Sequence, residues 1–353
     1  MQKYKKVIIA FSFVGVLGIT SILKLTPQFV ETYYSNGLYI GISKLMRYAF
    51  GWLPFSVGDL LYTLATIYIL RWLWENRKRV IKDTKNWLLD VLAAFSIAYF
   101  AFHLLWAFNY YRLPLYKSLN ISHEYSTEQL IEVTKQLITK ANKAHALIEL
   151  NDTIKIEIPY TKTEILHKVS NGYTRLKKEF PQLNYKPSSI KKSLYSLPLT
   201  YMGYSGYLNP FTNEAQIDGL IPKFKIPTTA SHEVAHQLGY AAENEANFIG
   251  ALAAINNDDK YFKYSGYSSI VRHCLFEIYR REPETYRALI NTLNKGIRKN
   301  YDEALEFWSS YENPLEPIFK STYDTFLKTN NQAGGINSYS YVVALYVNYF
   351  DRT

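Results

Sequence analysis

The hydrophobic and polar positions divide the chain near residue 110. Before that point apolar residues come in long runs. Val7 to Leu23 carries no charge and is just long enough to cross a bilayer. Phe55 to Trp74 is a second run, with Asp59 near one end and Arg71 near the other, where charged side chains can reach the interface. Leu88 to Tyr110 is a third, with Asp90 at its start and His103 inside. Between the first two, residues 27–54 mix Tyr33, Tyr34 and Trp52 with Glu31, Lys44 and Arg47, as an interfacial amphipathic helix does. The pattern predicts a membrane anchor over residues 1–110 with three transmembrane helices, at about 7–23, 55–74 and 88–110. A cleaved signal peptide would begin the same way, but no A-x-A-like site follows the first run and further apolar segments do.

After residue 110 the apolar positions recur mostly at helical spacing. Ser126-Thr127-Glu128-Gln129 reads as a capping box opening a helix to about Ile148, and Thr161 with Glu164 opens another that Pro181 ends by about Phe180. Asp152 to Tyr160 alternates as a short strand does. Residues 183–227 are rich in Pro, Gly, aromatic and β-branched residues; 190–197 and 206–211 read as strands or extended loop. Further helices are expected at about 243–256, 267–280, 284–298, 301–311 and 315–328, and a last one from about Ser338 to Phe350. The expected fold class is N-terminal transmembrane helices followed by a mostly helical α+β domain over 111–353.

The net charge of +10 changes this picture only by orienting it. Lys3, Lys5 and Lys6 precede the first run, and Arg77, Lys78, Arg79, Lys82 and Lys85 follow the second. Both clusters fall on one side if two spans separate them. The positive-inside rule makes that side cytoplasmic and puts residues after about 111 outside the cytoplasm. No nucleic-acid motif accompanies the charge. The single cysteine, Cys274, excludes an intrachain disulfide and a cysteine-based zinc site.

The chemistry gathers in Thr228-Thr229-Ala230-Ser231-His232-Glu233-Val234-Ala235-His236-Gln237-Leu238-Gly239. His232 and His236 stand four apart, so a helix aims both imidazoles at one point, as a tetrahedral zinc ion needs. Glu233, beside the first ligand, can reach a metal-bound water as general base. Thr228, Thr229 or Ser231 can cap the helix start and Gly239 can end it. The third ligand is a choice between Glu243 and Glu245. Tyr264, Tyr267 and His273 lie shortly beyond and are candidate oxyanion donors. Glu214, His123, His145 and His167 read as surface groups, and His103 as a packing partner.

His232-Glu233-Val234-Ala235-His236 followed by Glu243-Asn244-Glu245-Ala246-Asn247 resembles the gluzincin arrangement of zinc peptidases. There a second helix carries the ligand Glu and, four residues on, an acid that supports the first His. The resemblance implies a zincin-like fold, Glu243 as third ligand and Asn247 as the supporting residue. It also implies an edge strand within Gly206 to Ala215, just before the metal helix, against which substrate pairs. The spacer from His236 to Glu243 is short for this clan, and the supporting acid is here an amide.

The whole chain also resembles an uncharacterised family of bacterial membrane proteins, through 54–60, 109–112, 206–215, the metal motif, 264–267 and 327–330. The expectation is a membrane-anchored zinc metalloendopeptidase of the inner membrane. Its N-terminus would be cytoplasmic and its catalytic domain on the periplasmic side. Its partners would be the lipid bilayer and a peptide or protein substrate, with no nucleic acid. The alternative is a membrane-tethered binding or sensor module with a non-catalytic metal site.

Overall fold

The computed structural model describes residues 2–332 and 341–352. The N-terminal part holds α1 (Gln2–Leu25), α2 (Tyr39–Phe50), α3 (Val57–Glu75) and α4 (Thr84–Leu105). α1 and α4 lie side by side and run in the same direction. Lys6 pairs with Asp90 at one end, Ser96 Oγ donates to the Ala10 carbonyl at 2.8 Å midway, and Leu23 meets the Trp106 cluster at the other end. Among the described residues two helices are long and apolar enough to cross a membrane, Tyr4–Leu25 and Thr84–Leu105. The third expected span, α3, is not among them. α3 has the length, but Asp59, Arg71 and Glu75 dilute its apolar composition.

From Pro27 to Phe50 the chain stays helical, and Val30–Leu38 winds in π geometry. The wider turn sets Asn36 over Glu31, whose carboxylate accepts its amide at 2.9 Å.

Among the described residues, the rest of the chain is built from ten longer helices, a few single-turn ones and a small sheet. α5 (Thr127–Ala146) and α6 (Lys162–Leu176) open with the capping boxes that the sequence predicts, at Ser126 with Gln129 and at Thr161 with Glu164. α7 is Ser196–Met202, α8 Ile226–Gln237, α9 Glu243–Ile255 and α10 Lys260–Arg281. α11 (Pro283–Thr292), α12 (Lys295–Ser309), α13 (Glu316–Thr329) and α14 (Tyr341–Phe350) follow. Of the last expected helix, residues 338–340 lie outside the described residues. α10 starts earlier than expected because Asp259 caps it, accepting the Tyr261 N–H at 2.9 Å. The helix expected at 284–298 breaks at Leu293 and Asn294. There tertiary partners take over the backbone: Asn142 accepts the Asn294 N–H at 2.9 Å, and Asp152 the Gly296 N–H at 2.7 Å.

The strand expected at 152–160 does not form. Asn300 instead bonds both the N–H and the carbonyl of Ile156, at 3.0 and 3.2 Å, as a neighbouring strand would. The sheet has β1 (Ile190–Lys192), β2 (Gly206–Asn209) and β3 (Glu214–Ile217) in the order β1-β3-β2. β1 runs parallel to β3, and β2 antiparallel to it, leaving β2 at an edge.

The main core joins α5, α6, α8, α9, α10 and α14. A second apolar cluster joins Val30, Tyr34 and Tyr39 with residues 106–108, Tyr110, Tyr111 and Ala241, so the N-terminal part packs against the loop after α8. Three groups expected at a surface or interface are buried. Asp59 accepts from Ser193 Oγ, the Leu194 N–H and Tyr207. Glu214 accepts the N–H groups of Val57 and Gly58 at the start of α3. His145 bonds the Ile154 carbonyl at 2.8 Å. His123 and His167 are exposed, as expected.

Candidate metal centre

α8 carries Pro227 in its first turn, where the missing N–H costs nothing. The expected caps are used otherwise: Thr228 faces the Ser265 hydroxyl at 2.7 Å, and Ser231 donates back to the Pro227 carbonyl at 2.8 Å. The other end follows expectation. Gly239 takes a left-handed φ of 87°, and the N–H groups of Gly239 and Tyr240 return to the carbonyls of His236 and Ala235 at 2.9 and 3.1 Å. This turn has a chemical consequence. It brings the Tyr240 carbonyl to 2.7 Å from His236 Nδ1, so Nδ1 holds the proton and Nε2 keeps its lone pair.

The rings of His232 and His236 stand 4.6 Å apart, nearly perpendicular. α9 crosses close by. Gly250 lies against the backbone of His232, where a Cβ would sit 2.6 Å from the His232 nitrogen. That approach delivers the first turn of α9 to the histidines. Glu243 Oε2 lies 3.4 Å from His232 Nε2, and Oε1 3.7 Å from His236 Nε2. Ligand atoms at zinc bond lengths in a tetrahedron stand about 3.4 Å apart. Glu245 turns away and accepts the Leu115 N–H at 2.6 Å. Glu233 joins the cluster: His232, Glu233 and His236 offer atoms within 4.8 Å of one another.

Burial holds His236 down at about 4, so its ring is neutral at ordinary pH. Burial would raise Glu243, but the hydrogen bond to His232, the charges of both histidines and the Tyr323 hydroxyl hold it at about 2. Burial opposes charging of His232, yet Glu243 and Glu233 outweigh it and raise its pKa. The pocket thus holds a neutral imidazole, an ionised carboxylate and a field that favours a cation between His232 and Glu243. These are states a metal needs. Burial pushes Glu233 up to about 8, and a nearby cation would draw it back toward the ionised form.

Three buried polar atoms here have no hydrogen-bond partner: Glu233 Oε2, His232 Nδ1 and Asn247 Nδ2. Asn247 sits beside His232 and favours its protonated form. Turning the amide so that its oxygen faces Nδ1 pairs the ring N–H and leaves Nε2 for a metal. Two imidazoles, one carboxylate and a bare carboxylate oxygen beside them fit zinc and the activation of a water.

One further group reaches the cluster from far along the chain. Tyr323 of α13 donates to Glu243 Oε1 at 2.5 Å, and its ring lies against Tyr204 and Phe326. The expected donors go elsewhere. Tyr264 donates to Asn300 at 2.6 Å, Tyr267 packs half-buried against the main core, and His273 bonds the Ser269 carbonyl at 2.8 Å. Nothing in the sequence distinguishes Tyr323 among 32 tyrosines. Gly206 of β2 borders Glu233, and a Cβ there would stand 2.9 Å from Glu233 Oε1. The stretch that was strand or loop by sequence is therefore an edge hairpin beside the cluster.

Residues 34–347 match a family described only as protein of unknown function. The chain belongs to the DUF3810 family. The DUF3810 match takes in α3, α4 and the histidine–carboxylate cluster alike. No curated protein and no solved structure matches the chain.

Proposed function

We propose that the protein is a membrane-anchored zinc metalloendopeptidase with a compact, gluzincin-like site. His232, His236 and Glu243 hold the metal. Zinc bound there supplies Lewis acidity, polarising a carbonyl and acidifying a water. Glu233 takes the proton of the attacking water and returns it to the leaving amine. Tyr323, whose hydroxyl donates to the ligand carboxylate, would be the donor to the oxyanion of the attacked peptide carbonyl. β2 offers its open edge to an extended peptide beside Glu233. The observation that carries the reading is the convergence of two Nε2 atoms on one carboxylate, at 3.4 and 3.7 Å.

The membrane part of the reading keeps three spans, with the cluster on the extracytoplasmic side. Three features support it. α1 and α4 run parallel, which needs one crossing between them. α3 exposes Leu64, Ile67, Leu70 and Trp74 along its length, a surface that water does not suit. Lys5 and Lys6 lie at the same end as the basic loop 77–85. α4 ends at Leu105, and Trp106 already touches His236. With α4 in a bilayer, the cluster lies at its surface, and substrates are proteins or peptides there.

The test uses the full chain in lipid nanodiscs with an unfolded protein as substrate. Wild type should cleave it, a chelator should stop cleavage, and Glu233→Gln should keep its zinc and lose activity. Equal cleavage by wild type and Glu233→Gln would remove Glu233 from the mechanism. Zinc bound without cleavage by either would favour the non-catalytic sensor or binding module.

A further inference from the structure

The last carbonyls of a helix have no partner within it. In α8 these belong to the turn that holds His236, and the N-terminal segment supplies the donors. Tyr39 Oη and Ser43 Oγ donate to the Gln237 carbonyl at 3.0 and 2.9 Å. Trp106 Nε1 donates to the His236 carbonyl at 3.1 Å. Arg112 Nη1 donates to the Gly239 carbonyl at 2.9 Å. Arg112 also lies 4.0 Å over the Tyr240 ring and is gripped by both oxygens of Glu31, at 2.9 and 2.7 Å. Tyr240 is the residue whose carbonyl orients His236.

We propose that the anchor caps the metal helix, and that Arg112 and Trp106 are positioning residues that fix His236 for the metal. Glu31 holds Arg112, Arg112 holds the Gly239–Tyr240 turn, and the turn holds His236 Nδ1. Trp106, the first residue after α4, fixes the His236 backbone from the other side. The metal site and the membrane helices are then one mechanical unit, so the anchor does more than tether the domain. The inference rests on the zinc reading of the cluster.

The test uses the full chain in nanodiscs, with zinc affinity measured by competition against a chelator and the visible spectrum of the cobalt-substituted protein. Arg112→Met should weaken zinc binding by about 10–100-fold and change the cobalt spectrum of the folded fraction. Trp106→Phe keeps the ring packing and removes only the donated hydrogen bond, so it should weaken zinc binding by about fivefold. Arg79→Met breaks an ion pair with Asp90 (2.8 Å) at the far end of α4 and should leave affinity and spectrum unchanged. A merely structural role would move Arg79→Met as much as the other two. If Arg112→Met does not fold, Trp106→Phe decides. Wild-type affinity and spectrum in Trp106→Phe and in any folded Arg112→Met would overturn the inference and leave the zinc reading standing. Failure of the wild type to bind zinc would remove both.

Discussion

Glu243 and Glu245 stand two residues apart on the first turn of α9 and serve two different regions. Glu243 faces the histidines. Glu245 faces the joint with the N-terminal part, near Arg112, where it accepts the Leu115 N–H. Both regions bury charge at the end of α8, but they treat it differently. In the joint the carboxylate oxygens of Glu31, Asp59 and Glu214 all have donors. Arg112 and Asn36 serve Glu31; Ser193, Leu194 and Tyr207 serve Asp59; Val57, Gly58 and Thr212 serve Glu214. In the cluster Glu233 Oε2 has none. An unpartnered buried polar atom is costly and needs a reason. A cation or a water held at the cluster would pair the bare oxygen of Glu233.

The largest effect should come from the cluster. His236→Ala or Glu243→Ala should lower zinc affinity on the order of a thousandfold, while Glu245→Gln keeps about one equivalent by elemental analysis. Zinc loss in Glu245→Gln with retention in Glu243→Ala would reverse the comparison. Next, Glu233→Gln should cut peptide turnover by about 10²–10⁴-fold while keeping zinc, read in parallel assays of the same preparation.

The joint should answer in stability. Glu31→Ala leaves Arg112 buried without its partner and should cost about 3–5 kcal/mol, seen as a lower thermal midpoint in detergent. An unchanged midpoint would mean that the joint is not what couples the N-terminal part to the rest of the chain. The smallest effect is expected at Gly239→Ala. The left-handed backbone there costs an alanine about 1–2 kcal/mol. Its Cβ would also sit 2.8 Å from Asn109 Oδ1. Zinc binding should weaken with it, because the same turn orients His236.

What the sequence made legible was local. Helical spacing put His232 and His236 together, two capping boxes set the starts of α5 and α6, and Gly239 marked the end of α8. The choice between Glu243 and Glu245 needed the crossing of α8 and α9 at Gly250, which no spacing rule contains. Tyr323 lies 80 residues from Glu243 and was hidden by its commonness. Asp59 read as an interfacial charge and Glu214 as a surface one because Ser193, which serves Asp59, and the start of α3, which serves Glu214, lie more than 130 residues away in the chain. Residues 152–160 show the same limit: the alternation is real, but a side chain, Asn300, supplies the pairing that a strand would have needed.

The central claim is that His232, His236 and Glu243 hold zinc. X-ray absorption at the zinc edge of the purified full chain tests it most directly. The account predicts about one zinc per chain, with two nitrogen ligands at about 2.0–2.1 Å, oxygen ligands at about 2.0–2.2 Å and no sulfur. Absence of zinc from a folded preparation supplied with it, or an unchanged spectrum in Glu243→Ala, would contradict the claim.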